Sequence, residues 1–325
     1  MSAEPVEPAQ ALASAEVWFQ RHGLPYFVPD ERAAVRAALR PGRTLPLLVA
    51  VVVVAVAAGV GLAWFSDEIS AGPALLLAIV LLAATWYALV ALRARPIVGW
   101  ALSQTSGSVR LLLPMTTRAL PLLLLAITFL FINTEMWQVG GNLTVGSLWL
   151  VVLLFAILAV GFLFVRLPEE VDRADDHVDD AFLLRTCAKT PLAGACRELV
   201  DDPDADPASY AEVTGYERWN LILVLMVVQV LQVLLLSVMV FAFLMLFGAL
   251  IMTDTVLDGW QTPNPFNPSR ALVQVSTFLA AFSGLYLTVS TVTDDKYREQ
   301  FFGSVERELE RAVGVRAVYL ALRNR

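Results

Sequence analysis

Charge is scarce in this chain. Of its 325 residues 16% are charged and 58% hydrophobic, where soluble globular domains carry roughly 25% and 45–50%. That balance excludes a disordered chain and a coiled coil. Lysine is almost missing: Lys189 and Lys296 stand beside 21 arginines. With so much Ala, Leu and Val, the bias is the compositional mark of a high-GC bacterial genome. Two cysteines, Cys187 and Cys196, are too few for a disulfide scaffold, and their spacing matches no zinc or redox pattern. They fall in a polar segment expected in the cytoplasm, where thiols stay reduced. Histidine is limited to His22 and His177, neither inside an apolar run. There is no Gly-x-Ser-x-Gly, no phosphate loop and no His-Glu-x-x-His. An enzyme is therefore not expected, and no catalytic residue, cofactor-binding residue or metal ligand is assigned. The net charge of −7 gives no reason to expect a nucleic-acid partner.

Long apolar runs are what the chain has in abundance. They cover Leu45–Phe65, Pro73–Leu92, Ala119–Trp137, Val145–Val165, Leu221–Met252 and Ala271–Thr293. About 20 apolar residues cross a bilayer as a helix, and continuous runs exclude alternating membrane strands. The fold class expected is all-α: a polytopic bundle of about six transmembrane helices with a small helical cytoplasmic subdomain. Residues 1–43 hold five acids and five arginines ahead of the first run, which does not suit a cleavable signal.

The loops set the orientation. Residues 93–118 carry Arg93, Arg95, Arg110 and Arg118 without an acid, and Arg166 follows the fourth run. Only Arg270 lies on the other side. The positive-inside rule then predicts a multi-pass protein of the cytoplasmic (inner) membrane with both termini cytoplasmic. Two runs are irregular. The purely apolar part of the third, Leu120–Ile132, is about 20 Å long, so it either spans with Asn133, Thr134 and Glu135 at the outer interface or is re-entrant. The fifth, about 48 Å, is too long, and its inner end Leu221–Val228 is expected to leave the bilayer.

The domain plan follows from these runs. Residues 1–43 form cytoplasmic amphipathic helices, over Gln10–Arg21 and from Asp30, as cap, to Arg40. Docking on the first span is expected, with Trp18, Phe19, Tyr26 and Phe27 at the membrane interface. Residues 44–166 hold helices 1–4, with an in-plane segment near 97–117 whose arginines snorkel and touch anionic head groups. Residues 167–219 form an acidic helical region with a helix over Glu169–Asp180. Residues 220–293 hold helices 5 and 6. Residues 294–325 form a C-terminal helix whose stripe Tyr297, Phe301, Phe302, Val305, Leu309 and Val313 must bury against something. The 169–219 region of the same chain is the first choice and a second subunit the alternative. Pairs Arg307/Glu310 and Glu308/Arg311 lie opposite that stripe.

Candidate sites are few. Asp202, Asp204 and Asp206 alternate like the start of a calcium loop, but Pro207 stands where that loop needs Gly and Glu212 comes one residue early. They read as a solvated acidic turn, and His177 among Asp175, Asp176, Asp179 and Asp180 as a solvated acidic helix. Glu135 is the only acid in or beside a span, and Arg270 is its expected outer-face partner. In the sixth span Ser276-Thr277, Ser283-Gly284 and Ser290-Thr291 recur every seven residues, which makes one seam. Gln229 and Gln232 of the fifth span are placed to face it. The seam is a packing surface or the lining of a hydrated path. In the first span Ala55, Gly59 and Ala63 form a small-residue strip.

Three stretches, Arg21–Val28 (RHGLPYFV), Ala119–Val139 (ALPLLLLAITFLFINTEMWQV) and Phe282–Phe302 (FSGLYLTVSTVTDDKYREQFF), resemble an uncharacterised family of multi-pass integral membrane proteins from high-GC Gram-positive bacteria. The resemblance implies a bacterial membrane protein and no particular activity. The function expected is a non-catalytic membrane module that organises or regulates partners through its cytoplasmic helices. The alternative is an oligomeric ion channel or small-solute permease lined by the sixth span. Expected partners are the lipid bilayer and a further copy of the chain or another membrane protein.

Overall fold

The computed structural model describes residues 8–66, 68–104, 120–175, 178–252, 268–293 and 295–324. Among these residues every regular element is helical. Helix α1 (Pro8–Arg21) ends at Gly23, whose φ of +73° is a left-handed stop that glycine takes without strain. A 3₁₀ turn (Pro25–Phe27) leads into α2 (Pro29–Ala38). Asp30 does not cap α2: Val28 holds the cap position without a side-chain bond and Asp30 falls in the first turn. Pro29 is the reason, since its fixed φ and missing N–H suit the first helical position.

Helices α3 (Pro41–Ser66) and α4 (Ala71–Val90) are the first two spans and form a hairpin. Gly59 and Gly72 set its closest approach. A Cβ on Gly59 would lie 2.8 Å from the Gly72 carbonyl oxygen, and one on Gly72 would lie 2.9 Å from the Gly59 oxygen. Both obstacles are backbone and cannot swing aside. Gly59→Leu is expected to lower stability by about 1–3 kcal/mol or more through overpacking. Gly61→Leu, which faces open space, should leave the unfolding midpoint in detergent unchanged.

Helix α5 (residues 95–104) turns Ile97 and Ala101 into the protein interior; the rest of the expected in-plane segment, including Arg110 and Arg118, lies outside the described residues. The third apolar run is broken. Helix α6 (Leu120–Phe131) and helix α7 (Thr134–Asn142) meet at 75°. At 12 residues, α6 is about 18 Å long. The Asn133 side chain accepts the Glu135 N–H at 2.8 Å and so caps α7. The buried Trp137 closes the corner, its Nε1 donating to the Phe131 carbonyl at 2.7 Å. Gly140 admits Val275 of the sixth span.

Helix α8 (Val145–Asp175) is longer than the fourth apolar run. The helix expected over Glu169–Asp180 forms as far as Asp175, but as the end of this span, and Val178 and Asp179 are not helical. Its first part continues the span through Pro168, with Arg166 paired to Glu169 and Glu170. A new helix, α9 (Asp180–Cys187), starts where the Asp179 carboxylate accepts the Phe182 N–H at 2.7 Å. Asp176 and His177 lie outside the described residues. Helix α10 (Ala193–Val200) and a 3₁₀ turn (Pro207–Tyr210) lead to α11 (Gly215–Ile251), about 55 Å long. Helix α12 (Pro268–Thr293) is the last span, and α13 (Asp295–Arg323) follows it.

The result is an all-α membrane protein with five helices long and apolar enough to cross a bilayer, and a sixth if the bent pair counts as one. A polar layer covers one end. There α13 packs on α9, on the second 3₁₀ turn and on α1, so both chain ends lie in one layer. At the far end Gly146 touches Ser70 and Ala71. Trp100 touches Gly23 in the polar layer, so the chain passes from end to end between residues 104 and 145. The bent α6–α7 pair is the described part of that passage.

Candidate functional site

The first turns of α11 sit where the chain's distant parts converge. Glu217 is only 4% exposed. Arg32 of α2 reaches one carboxylate oxygen at 2.6 Å, and the Arg316 Nε of α13 donates to the other. Arg316 also donates through Nη1 to the carbonyls of Tyr210 at 2.7 Å and Glu212 at 3.0 Å. A buried carboxylate is tolerated only when paired and hydrogen-bonded, and here two guanidinium groups meet that need. One turn on, Asn220 is fully buried. Its Oδ1 accepts the Tyr26 N–H at 2.7 Å and its Nδ2 donates to the Gly23 carbonyl at 2.9 Å.

Aromatic contacts complete this hub. Phe19 meets Phe27 at 5.2 Å and Tyr319 edge-on at 5.5 Å. Tyr319 donates to Glu16 at 2.7 Å, and Tyr26 donates to the Leu92 carbonyl at 2.7 Å. Burial pushes the Tyr26 phenol up to about 12. Burial, aided by Glu16, does the same to Tyr319. Both remain protonated donors near neutral pH. The expected membrane-interface placement of these aromatics is corrected for three of the four: Phe19, Tyr26 and Phe27 are buried in protein. The N-terminal segment docks on α11 and α13, not chiefly on the first span, because those helices offer both the apolar stripe and the buried polar partners.

Sequence reasoning missed this hub. Glu217 and Asn220 flank an apolar run and look like ordinary surface residues. Their partners lie 99 to 197 residues away along the chain for Arg316, Tyr26 and Gly23, so no local spacing announces them.

The C-terminal stripe buries Leu309 and Val313; the side chains from Tyr297 to Val305 lie outside the described residues. Glu308 and Arg311 pair at 2.9 Å, whereas Glu310 reaches Arg185 of α9 at 3.6 Å. Gly314 admits Thr186. Beside this contact Cys187 and Cys196 are both buried free thiols. Cys187 is pushed up by its hydrogen bond to Cys196 and by burial. Cys196 is shifted down because it receives that bond.

In the sixth span Ser276 and Ser283 are fully buried, and Ser283 donates to the Leu279 carbonyl at 2.7 Å. Gly284 lies against Ser237 and Val233 of α11. Thr277 donates to the Val273 carbonyl at 2.7 Å, and Ser290 is half-buried. The Thr291 side chain lies outside the described residues. Gln229 and Gln232 are buried. Gln229 Nε2, Gln232 Oε1 and Ser276 Oγ find no hydrogen-bond partner among the described residues. Between α8, α11 and α12 runs an apolar groove of about 440 Å³, lined by Phe155, Ala156, Leu234, Phe241, Ala281 and Gly284 among others.

Glu135 and Arg270 are both exposed at the ends of their helices, and Glu135 forms no ion pair among the described residues. In the acidic segment Asp202 accepts the Asp204 N–H at 3.1 Å and Asp206 the Ser209 N–H at 3.3 Å. These are turn and cap bonds, and no metal-ligating cluster occurs among the described residues.

Comparison of the chain with protein-family models, curated proteins and solved structures matches none of them.

Proposed function

We propose that this multi-pass membrane protein is a non-catalytic docking module of the bacterial inner membrane, with both termini cytoplasmic and its polar layer as the working surface. Its activity is to hold a partner protein at the membrane, and it performs no chemical step. The observation that carries this reading is the Glu217 hub, which locks α2, α11 and α13 into one platform. On that platform Asp201, Asp204 and Asp206 are exposed, and no Lys or Arg occurs between Glu198 and Glu217. A single-sign patch of this kind steers a basic partner segment. Membership of the bacterial family resembled by residues 21–28, 119–139 and 282–302 is part of the same reading.

The alternative is an oligomeric channel or permease along the sixth span. The unpartnered Gln229, Gln232 and Ser276 atoms favour it, since open polar atoms in hydrocarbon attract water or solute. Ion flux in proteoliposomes holding the full chain separates the two. Under gradients of potassium, sodium, chloride and protons, flux is expected to match that of protein-free vesicles. Flux above that level, abolished by Ser283→Trp with the fold retained, would establish the conduit instead.

A further inference from the structure

A second pocket lies where the second span leaves the bilayer. It holds about 450 Å³ between α1, α2 and the loop after α4, and is lined by Gln20, Glu31, Leu89, Val90, Arg93 and Arg95, with Pro25 and Pro96 as stiff walls. The loop is fastened in place, since Tyr26 donates to the Leu92 carbonyl at 2.7 Å. Arg93 and Arg95 are exposed. Glu31 holds Arg93 at 3.2 Å, which orients one guanidinium and leaves two cations against one carboxylate.

The backbone adds an independent observation. Arg93 has φ of +53°, the one non-glycine residue with positive φ among the described residues. It closes α4 in a left-handed stop, where the Ala94 N–H returns to the Ala88 carbonyl at 3.1 Å. Glycine is the residue such a position favours. A long cationic side chain here is a departure from what the backbone prefers, and strain of this kind concentrates at ligand sites.

We propose that this pocket binds the phosphate of an anionic phospholipid. Arg93 and Arg95 supply the charge, through the charge-assisted hydrogen bonds guanidinium makes to phosphate oxygens, and Gln20 adds a neutral donor. Leu89 and Val90 mark where the acyl chains begin. Below them α4 packs on α3 and α8 along one side and leaves Leu81, Leu82 and Trp86, with Val90 itself, exposed, a face open to those chains. A soluble phosphate has no use for that apolar wall, whereas basic pockets at the ends of spans suit lipid head groups.

The test uses the full chain equilibrated in mixed micelles with equal phosphatidylglycerol and phosphatidylcholine. After gel filtration the retained lipid is quantified. Wild type is expected to retain phosphatidylglycerol in preference. Arg93→Gly and Arg95→Gln are each expected to cut that preference about fivefold, from the roughly 1 kcal/mol per arginine typical at a charged membrane surface. Arg93→Gly suits the backbone, so its unfolding midpoint should not fall. Arg173→Gln, an exposed arginine paired elsewhere, should change nothing. Equal retention of the two lipids by wild type, or an unchanged preference in both pocket variants, overturns the proposal. So does full displacement of phosphatidylglycerol by millimolar inorganic phosphate, which would make the site one for the free anion.

Discussion

Glu217→Ala is expected to lower the stability of the polar layer by about 3–5 kcal/mol, the cost typical of breaking a buried ion pair from one side. The loss is large because the Arg316 side chain is 9% exposed and Arg32 26% exposed, so removing the carboxylate leaves two positive groups facing each other in a site with little water. Differential scanning of the full chain in detergent measures it. Limited proteolysis should show α2 and α13 released together, because both are paired to Glu217. Arg173→Ala, which breaks an exposed pair with Glu170, should shift the midpoint by about 1 kcal/mol or less. Equal shifts for the two variants would mean that the hub does not hold the termini.

Asn220→Leu is the second large effect. Leucine has the same branched shape and number of side-chain heavy atoms, so the change is chiefly chemical and leaves no void. The Tyr26 N–H and the Gly23 carbonyl then lose their partner in a fully buried position. At about 1–3 kcal/mol for each of the two orphaned groups, the expected loss is roughly 2–6 kcal/mol. Hydrogen exchange localises it: the Tyr26 amide should exchange far faster, while amides in the middle of α11 keep their protection. If exchange at Tyr26 is unchanged, Asn220 does not set the docking of the N-terminal segment.

Both effects lie in parts of the molecule that the amino-acid order announced poorly. The apolar runs at 45–65, 73–92, 145–165, 221–252 and 271–293 all became long helices, the one at 145–165 extended to Asp175 and the one at 221–252 begun at Gly215. Their ends moved for local reasons. Helix α8 ran on past Val165 because Arg166, Glu169 and Glu170 support one another at helical spacing. The third run broke because Asn133 offered a cap and Trp137 an anchor, and only the folded corner reveals that the indole closes it. The aromatic cluster around Phe19 and Tyr26 had the composition of a membrane-interface belt. Its burial followed from the apolar face of α13, which lies nearly 300 residues further along the chain.

The chain's sequence by itself determined that this protein is a bundle of helices in a bilayer. Long apolar stretches cannot remain in water, and in hydrocarbon a continuous stretch satisfies its backbone only as a helix. The tertiary structure alone decided which polar residues matter. Glu217, Asn220 and Arg316 differ from other charged or amide residues only in what lies beside them. Those neighbours are set by how the helices pack, because burial turns an ordinary surface pair into one that cannot be broken cheaply.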